Sequence, residues 1–263
     1  MPEGPEIRRA ADALAKAVLG QPIVHAELNL PGLSRRAREL VGRRVVSITP
    51  HGKALLTRFD HGLALYSHNQ LYGVWQVVKS GERPETTRSL RVVLETAKKA
   101  LLLYSASDVA LLDEAGIAAH PFLARLGPDV LEDVTTVDVV LAQLADARFA
   151  GRQLGALLLD QAFLGGLGNY LRSEILFDAG LLPVRRPKEL DEDERLRLAT
   201  SCLHIPRLSY RTRGRRGKTY GETGAFRFAV FDREGEPCIA CGTTIERQEV
   251  GSRRLYWCPR CQA

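Results

Sequence analysis

Four cysteines near the carboxyl end constrain the fold of this chain more than any other feature. Cys238-Ile-Ala-Cys241 and Cys258-Pro-Arg-Cys261 are two knuckles of equal spacing, separated by sixteen residues. Two such knuckles joined by a hairpin-length spacer place four thiolates around a tetrahedron, which suits structural zinc. Disulfides are the alternative, but cysteines paired within a knuckle make poor bridges, and the rest of the chain holds only Cys202. Four thiolates leave no open coordination position, so the one zinc ion expected here folds the segment and does no chemistry.

The remaining chain has room for a large core. Its 263 residues are enough for two domains or one large one, and 45% apolar with 26% charged residues is the composition of an ordinary soluble globular protein, not a disordered one. The start, Met1-Pro-Glu-Gly-Pro-Glu, has neither a basic leader nor an apolar core, and no apolar run reaches spanning length, so a cytosolic protein is expected. Lys and Arg number 37 against 31 Asp and Glu, giving +6 and a pI of about 9.2. That balance fits a polyanion partner, although many basic proteins bind none.

Periodicity divides the chain. Pro5 stands where a first helical residue is favoured, and Ile7, Ala11, Leu14 and Val18 follow at helical spacing until Gly20, which predicts an amphipathic helix. From Val24 to about Asp108 the pattern becomes short runs: Val45–Ile48, Ala54–Leu56, Leu63–Tyr66, Val74–Val78, Leu90–Leu94 and Leu101–Tyr104. Regular short strands predict a sandwich or barrel. His120–Asp129 carries breakers around a short apolar turn and suits a domain connection. Helical patterns then recur near Thr136–Leu144, Gln153–Leu164, Tyr170–Ala179 and Glu189–His204. Arg211–Lys218, too basic and glycine-rich to pack, reads as a loop that either orders on phosphates or stays solvated. Phe226–Phe231 reads as a strand leading into the knuckles.

Several positions could carry chemistry. Removal of Met1 is sterically easy before a small residue and would expose the secondary amine of Pro2, with Glu3 beside it. An α-amino group titrates near about 8, so roughly a tenth is neutral at pH 7, far more than for a lysine. Its attack on a sugar C1′ would give an iminium that promotes elimination. Glu3 could then shuttle protons, and Glu6, one helical turn on, could orient the amine or protonate a leaving group. Equally, Met-Pro-Glu is an ordinary start before a helix. Gly165-Gly-Leu-Gly-Asn169 suits a backbone approach to phosphate, with Asn169 adding a donor, or simply a tight turn between packed helices. Lys53 stands on a predicted turn, as a phosphate ligand or a solvated charge. Gln70-Leu-Tyr72 lies between two strands, where Leu71 and Tyr72 either pack inward or insert into a base stack.

Together these positions resemble the formamidopyrimidine-DNA glycosylase and endonuclease VIII family over essentially the whole chain. Met1-Pro-Glu-Gly-Pro-Glu-Ile7 is similar to the endonuclease VIII branch, whereas the branch acting on oxidised purines typically reads Pro-Glu-Leu-Pro-Glu. Tyr66-Ser-His-Asn-Gln-Leu-Tyr-Gly-Val-Trp75, Leu158-Leu-Asp-Gln-Ala-Phe163, Gly166-Leu-Gly-Asn-Tyr170, Ser252-Arg253 and Tyr256-Trp-Cys258 are similar to the same branch in order and spacing.

The resemblance implies an α+β, two-domain fold: a β-sandwich flanked by helices over residues 1–122, a hinge at 123–132, a helix–two-turns–helix domain at 133–224 and a zinc-bound β-hairpin at 225–263. It implies Pro2 as Schiff-base nucleophile, Glu3 as proton shuttle, Glu6 as support, and Lys53, Asn169 and Arg253 as phosphate clamps. Gln70, Leu71 and Tyr72 would fill the vacated stack. The metal ligands are Cys238, Cys241, Cys258 and Cys261, and zinc is the one cofactor. The implied partner is double-stranded DNA with oxidised bases or abasic sites, met by a monomer on the bacterial nucleoid and not at a membrane. Two rivals remain: the same chemistry on oxidised purines, and a zinc-ribbon DNA-binding module without catalysis.

Overall fold

The structure, a computed structural model, describes residues 2–212 and 226–263. The described residues divide into two compact units: Pro2 with Glu6–Arg125, and Glu3–Pro5 with those from Leu126 onward.

In the first unit, helix α1 (Gly4–Val18) buries the row Ile7, Ala11, Leu14 and Val18, as the helical spacing requires. Eight strands follow: β1 (His25–Leu28), β2 (Val45–His51), β3 (Ala54–Phe59), β4 (Ala64–His68), β5 (Val74–Lys79), β6 (Leu90–Glu95), β7 (Lys99–Tyr104) and β8 (Asp108–Leu112). They form two antiparallel sheets, ordered β1-β6-β7-β5 and β2-β3-β4-β8. Val92, Leu94, Leu101 and Leu103 of one sheet share a core with Val45, Leu55, Leu65 and Leu111 of the other and with the buried row of α1. This is the expected sandwich.

The outer faces are not simply polar. Leu56 and Tyr66 pack outward with Ile117, Phe122 and Leu123, so that α2 (Glu114–Ala119), capped by Asp113, covers one sheet. Burial on both faces is why the inner strands read as continuous apolar runs. Strand β1 had no such run, because only Leu28 of its His-Ala-Glu-Leu is buried. Strand β8 runs past the expected limit near Asp108 because it completes the pairing of β4.

In the second unit the helices are α3 (Val137–Ala145), α4 (Ala147–Ala150), α5 (Leu154–Leu157), α6 (Asn169–Ala179) and α7 (Glu192–Thr212), followed by strands β9 (Glu246–Glu249) and β10 (Arg254–Trp257). Thr136 caps α3 and Asp146 caps α4 through their side chains. Three expectations need correction. The pattern at Gln153–Leu164 is helical only at Leu154–Leu157, because the Asp160 carboxylate accepts the Ala162 N–H at 2.9 Å and pairs with Arg152, turning the chain. The helix expected at Glu189–His204 begins later and continues through Pro206, itself buried beside the core residues Leu203 and Ile205, to Thr212. Of the basic run Arg211–Lys218, Arg211 and Thr212 end α7, and the rest lies outside the described residues.

The third correction is Phe226–Phe231, which is irregular and not a strand. Its backbone donors are satisfied differently: the N–H groups of Ala229, Val230 and Phe231 all donate to the Glu174 carboxylate, at 2.8, 3.0 and 2.8 Å. One core joins α3 to α7 with Phe226 and Leu255, so the carboxy-terminal hairpin is part of the helical unit and not a separate body.

Candidate active site and zinc hairpin

The amino terminus of α6 organises the second unit. Its capping position is Gly168, which has no side chain to satisfy the first N–H groups. Glu3 supplies the acceptors: Oε1 takes the Tyr170 N–H at 2.9 Å and Oε2 the Leu171 N–H at 3.2 Å. A carboxylate is favoured there by the helix dipole as well as by the two bonds. Next to it, the Gly4 N–H donates to the Gly166 carbonyl at 2.8 Å, and a Cβ on Gly4 would meet the Gly166 backbone at 3.1 Å. Gln161 clips the same turn, donating to Leu159 O at 3.0 Å and Leu167 O at 2.9 Å while accepting from Gly166 N at 3.1 Å. The glycines therefore serve a close approach of two backbones.

Arg172, 0% exposed, ties this helix to the hairpin. Its guanidinium donates to Gly155 O, Val250 O, Asn169 Oδ1 and Arg253 O at 2.7, 3.3, 2.9 and 3.0 Å. Burial pushes its pKa down to about 10, with the charge of Arg253 acting the same way and Glu3 opposing, so it remains a cation at neutral pH. Asn169 in turn donates to Arg254 O at 2.9 Å. The hairpin tip is a two-residue turn with Gly251 and Ser252 at φ 61° and 58°, closed by paired Val250–Arg253 backbone bonds. Positive φ at both central residues matches the twist of a tight hairpin. It leaves the Arg253 side chain exposed while its carbonyl is held from below. Glu3 and the Arg253 backbone are thus both tied to the first turns of α6, Glu3 through the Tyr170 and Leu171 N–H groups and the Arg253 carbonyl through Arg172, which also holds Asn169.

The cysteine cluster stands at the hairpin's base. The four sulfurs lie within 4.8 Å of one another, with Cys238–Cys261 at 3.8 Å and Cys241–Cys258 at 3.5 Å. These separations are far too long for disulfides and close to the edge of about 3.8 Å that a zinc–thiolate tetrahedron requires. Hydrogen bonds from Thr243 hold Cys241 down to about 6, whereas a hydrogen bond to Cys241 and burial push Cys261 up. Four sulfurs converging this closely suit a cation between them. The donor set fits one structural zinc ion, and zinc is a cofactor of the chain.

The first unit holds the other expected residues. Pro2, half-buried, precedes α1, and Glu6 on that helix accepts from Arg9 at 2.7 Å. Lys53, in the tight β2–β3 turn, is only 6% exposed, which excludes a solvated surface charge. Leu71 and Tyr72 are 59% and 69% exposed, so core packing does not explain them. Their turn is closed by Gly73 N to Asn69 O at 2.7 Å, and Gln70 has φ 49° with its N–H on His68 Nδ1 at 3.0 Å. Burial lowers the pKa of His68, the charge of Lys53 adds to this, and Asp108 opposes.

Sequence reasoning missed Arg172, Glu174, Gln161 and His68. A signal existed in α6, where Arg172, Ser173 and Glu174 interrupt an apolar stretch with no polar face to receive them; every residue from Tyr170 to Leu176 is buried. Glu174, pushed up to about 7 by burial against its three backbone donors, is the anchor of segment 226–231.

Comparison with known proteins agrees along the chain. Residues 1–108 match the formamidopyrimidine-DNA glycosylase N-terminal domain, 126–215 the H2TH domain of the same glycosylase, and 235–263 a zinc finger found in FPG and IleRS. Endonuclease 8 of Klebsiella pneumoniae (strain 342) is 54% identical over 262 residues, covering 100% of both chains, and endonuclease 8 of Escherichia coli O17:K52:H18 is 53% identical over the same span. A solved complex between Lactococcus lactis Fpg and abasic-site DNA shares the fold at TM-score 0.84 and 23% identity, covering 99% of each chain. With full-length relatives at this identity and family matches in all three parts, the chain belongs to the formamidopyrimidine-DNA glycosylase and endonuclease VIII family.

Proposed function

We propose that the chain is a bifunctional DNA glycosylase and abasic-site lyase of base excision repair, which excises oxidised pyrimidines through a Schiff base on Pro2. The observation that carries this reading is Glu3, fixed by two backbone donors on a helix start immediately after the residue whose amine would attack. Its full-length relatives, named endonuclease 8, support the same reading and the bacterial cytoplasm as its setting.

The Pro2 amine bonds to C1′ as the C1′–base bond breaks, and the sugar ring opens to a C1′ iminium. No metal or external nucleophile is required, because the amine supplies the covalent step and the iminium the electron sink. Loss of a C2′ proton then expels the 3′ phosphate, and loss of a C4′ proton expels the 5′ phosphate. Water then hydrolyses the iminium, releasing the unsaturated sugar as an aldehyde and freeing the Pro2 amine, and a one-nucleotide gap with phosphate on both ends remains. Glu3 moves the protons, and Glu6, paired with Arg9, supports the amine.

Lys53, Asn169 and Arg253 hold phosphates around the extruded nucleotide. Asn169 uses one amide N–H on Arg254 O and has a second to offer. Gln70, Leu71 and Tyr72 fill the stack. A damaged pyrimidine stacks weakly and flips at lower cost, which supplies part of the selectivity. The protein acts as a monomer on double-stranded DNA.

Borohydride trapping tests the proposal. Processed protein incubated with a duplex carrying 5,6-dihydrouracil or an abasic site is expected to give a reduced protein–DNA crosslink, lost in Pro2→Gly. No crosslink, with binding intact, would favour the non-catalytic zinc ribbon. Faster trapping on 8-oxoguanine than on dihydrouracil would move the substrate to oxidised purines.

A further inference from the structure

We infer that Arg88 and Ser107, with His68, are positioning residues that hold Leu71 and Tyr72 projecting before DNA arrives, an inference that rests on the stack-filling role proposed for that turn. Three separate parts of the unit reach the turn. Arg88, sixteen residues further along the chain, donates from Nη1 to the Tyr72 carbonyl at 2.6 Å. Ser107, between β7 and β8, donates from Oγ to Gln70 Oε1 at 2.8 Å. His68, at the end of β4, accepts the Gln70 N–H at 3.0 Å.

None of these bonds touches the side chain of Leu71 or Tyr72. The braces hold the backbone and the Gln70 carboxamide, and leave the two apolar side chains in solvent. Without them, the left-handed conformation of Gln70 would relax and two large apolar groups would fold onto the surface. Gly73 strengthens the point, since a Cβ there would lie 2.6 Å from Asn69 backbone atoms and the turn would open. A wedge that must be ordered during the encounter loses its ordering entropy at that moment, whereas a pre-ordered wedge has lost it on folding.

The three bonds are spent on the turn itself, so their loss is expected to matter only where a base must leave a stack. The test compares two substrates for the zinc-loaded, processed, full-length protein: a duplex with dihydrouracil, which requires flipping, and a single-stranded oligonucleotide with an abasic site, which does not. Single-turnover trapping is measured for Arg88→Ala combined with Ser107→Ala, for Arg88→Lys, and for Leu71→Ala combined with Tyr72→Ala. The brace variant is expected to slow trapping on the duplex about tenfold, the sum of two modest hydrogen bonds, with trapping on the single strand unchanged. Arg88→Lys keeps a donor and should restore most of its share.

Equal loss on both substrates would mean general damage to the fold and overturn the inference, as would no loss on the duplex. The wedge variant separates the two levels: if it too spares the duplex, the stack-filling reading has failed. If it shows the duplex-specific loss and the brace variant does not, only the bracing has failed.

Discussion

A Cβ on Gly168 would fall 2.2 Å from Cδ of Glu3, so the carboxylate keeps its place on α6 only because residue 168 lacks a side chain. In Gly168→Ala the atom that must yield is on a flexible side chain, so the fold should survive while Glu3 is displaced. The expected result is a loss of roughly 1–2 kcal/mol of stability, the value of a helix cap, with trapping on an abasic duplex reduced by about a hundredfold or more. Unfolding in urea and single-turnover trapping measure the two effects separately. His68 gives a pH dependence of known sign. Its pKa in the folded chain lies below the usual 6.5, so its contribution to stability is present above pH 6.5 and is lost as pH falls through the folded value. Melting temperature should drop more steeply below about pH 6.5 in the natural protein than in His68→Gln. Residues of this kind were only partly legible. Pro2 and Glu3 drew attention through their chemistry, but that Glu3 caps a helix more than 160 positions away depends on the fold.

Elements were most legible where one face or one motif dictated them. Ile7, Ala11, Leu14 and Val18 are all buried, and the six strands expected from their apolar runs are present. Phe226–Phe231 failed because the same aromatic and β-branched residues that favour strands also favour any half-buried backbone. What decided the outcome was a carboxylate elsewhere in the sequence, which no local pattern contains. Glu174→Ala should leave three N–H groups without their acceptor and cost about 3 kcal/mol or more by urea unfolding. Glu174→Gln retains a carbonyl oxygen and should lose less. Equal stability of Glu174→Ala and the natural protein would remove this carboxylate as the anchor of the segment.

For the molecule as a whole, the sequence changes period near residue 120, and the two compact units part between Arg125 and Leu126, with Glu3–Pro5 joining the second. The sharing of one core by the helices and the hairpin was not visible, because Phe226 and Leu255 look like residues of a small separate finger until they are seen packed with α6 and α7. With an excess charge of +6, the DNA binding proposed for the chain should weaken as salt rises. If Arg253 meets one phosphate, Arg253→Ala lowers the slope of log affinity against log salt by about one unit, measured by titration across salt concentrations. A slope equal to that of the natural protein would place Arg253 away from the backbone.

The cysteine cluster carries a vulnerability tied to the circumstances in which such an enzyme is needed. Cys238 and Cys258 are buried, but Cys241 and Cys261 are partly open to solvent, and thiolates are the form of cysteine that oxidants attack. Conditions that damage bases therefore also threaten the sulfurs at the base of the hairpin that carries Arg253. Peroxide treatment of the zinc-loaded protein should release zinc to a chromogenic chelator in step with falling DNA affinity. If the proposed roles hold, repair capacity would then decline during a severe oxidative burst, not from a shortage of enzyme but from a population of molecules whose amino-terminal chemistry is intact and whose hairpin is unfolded.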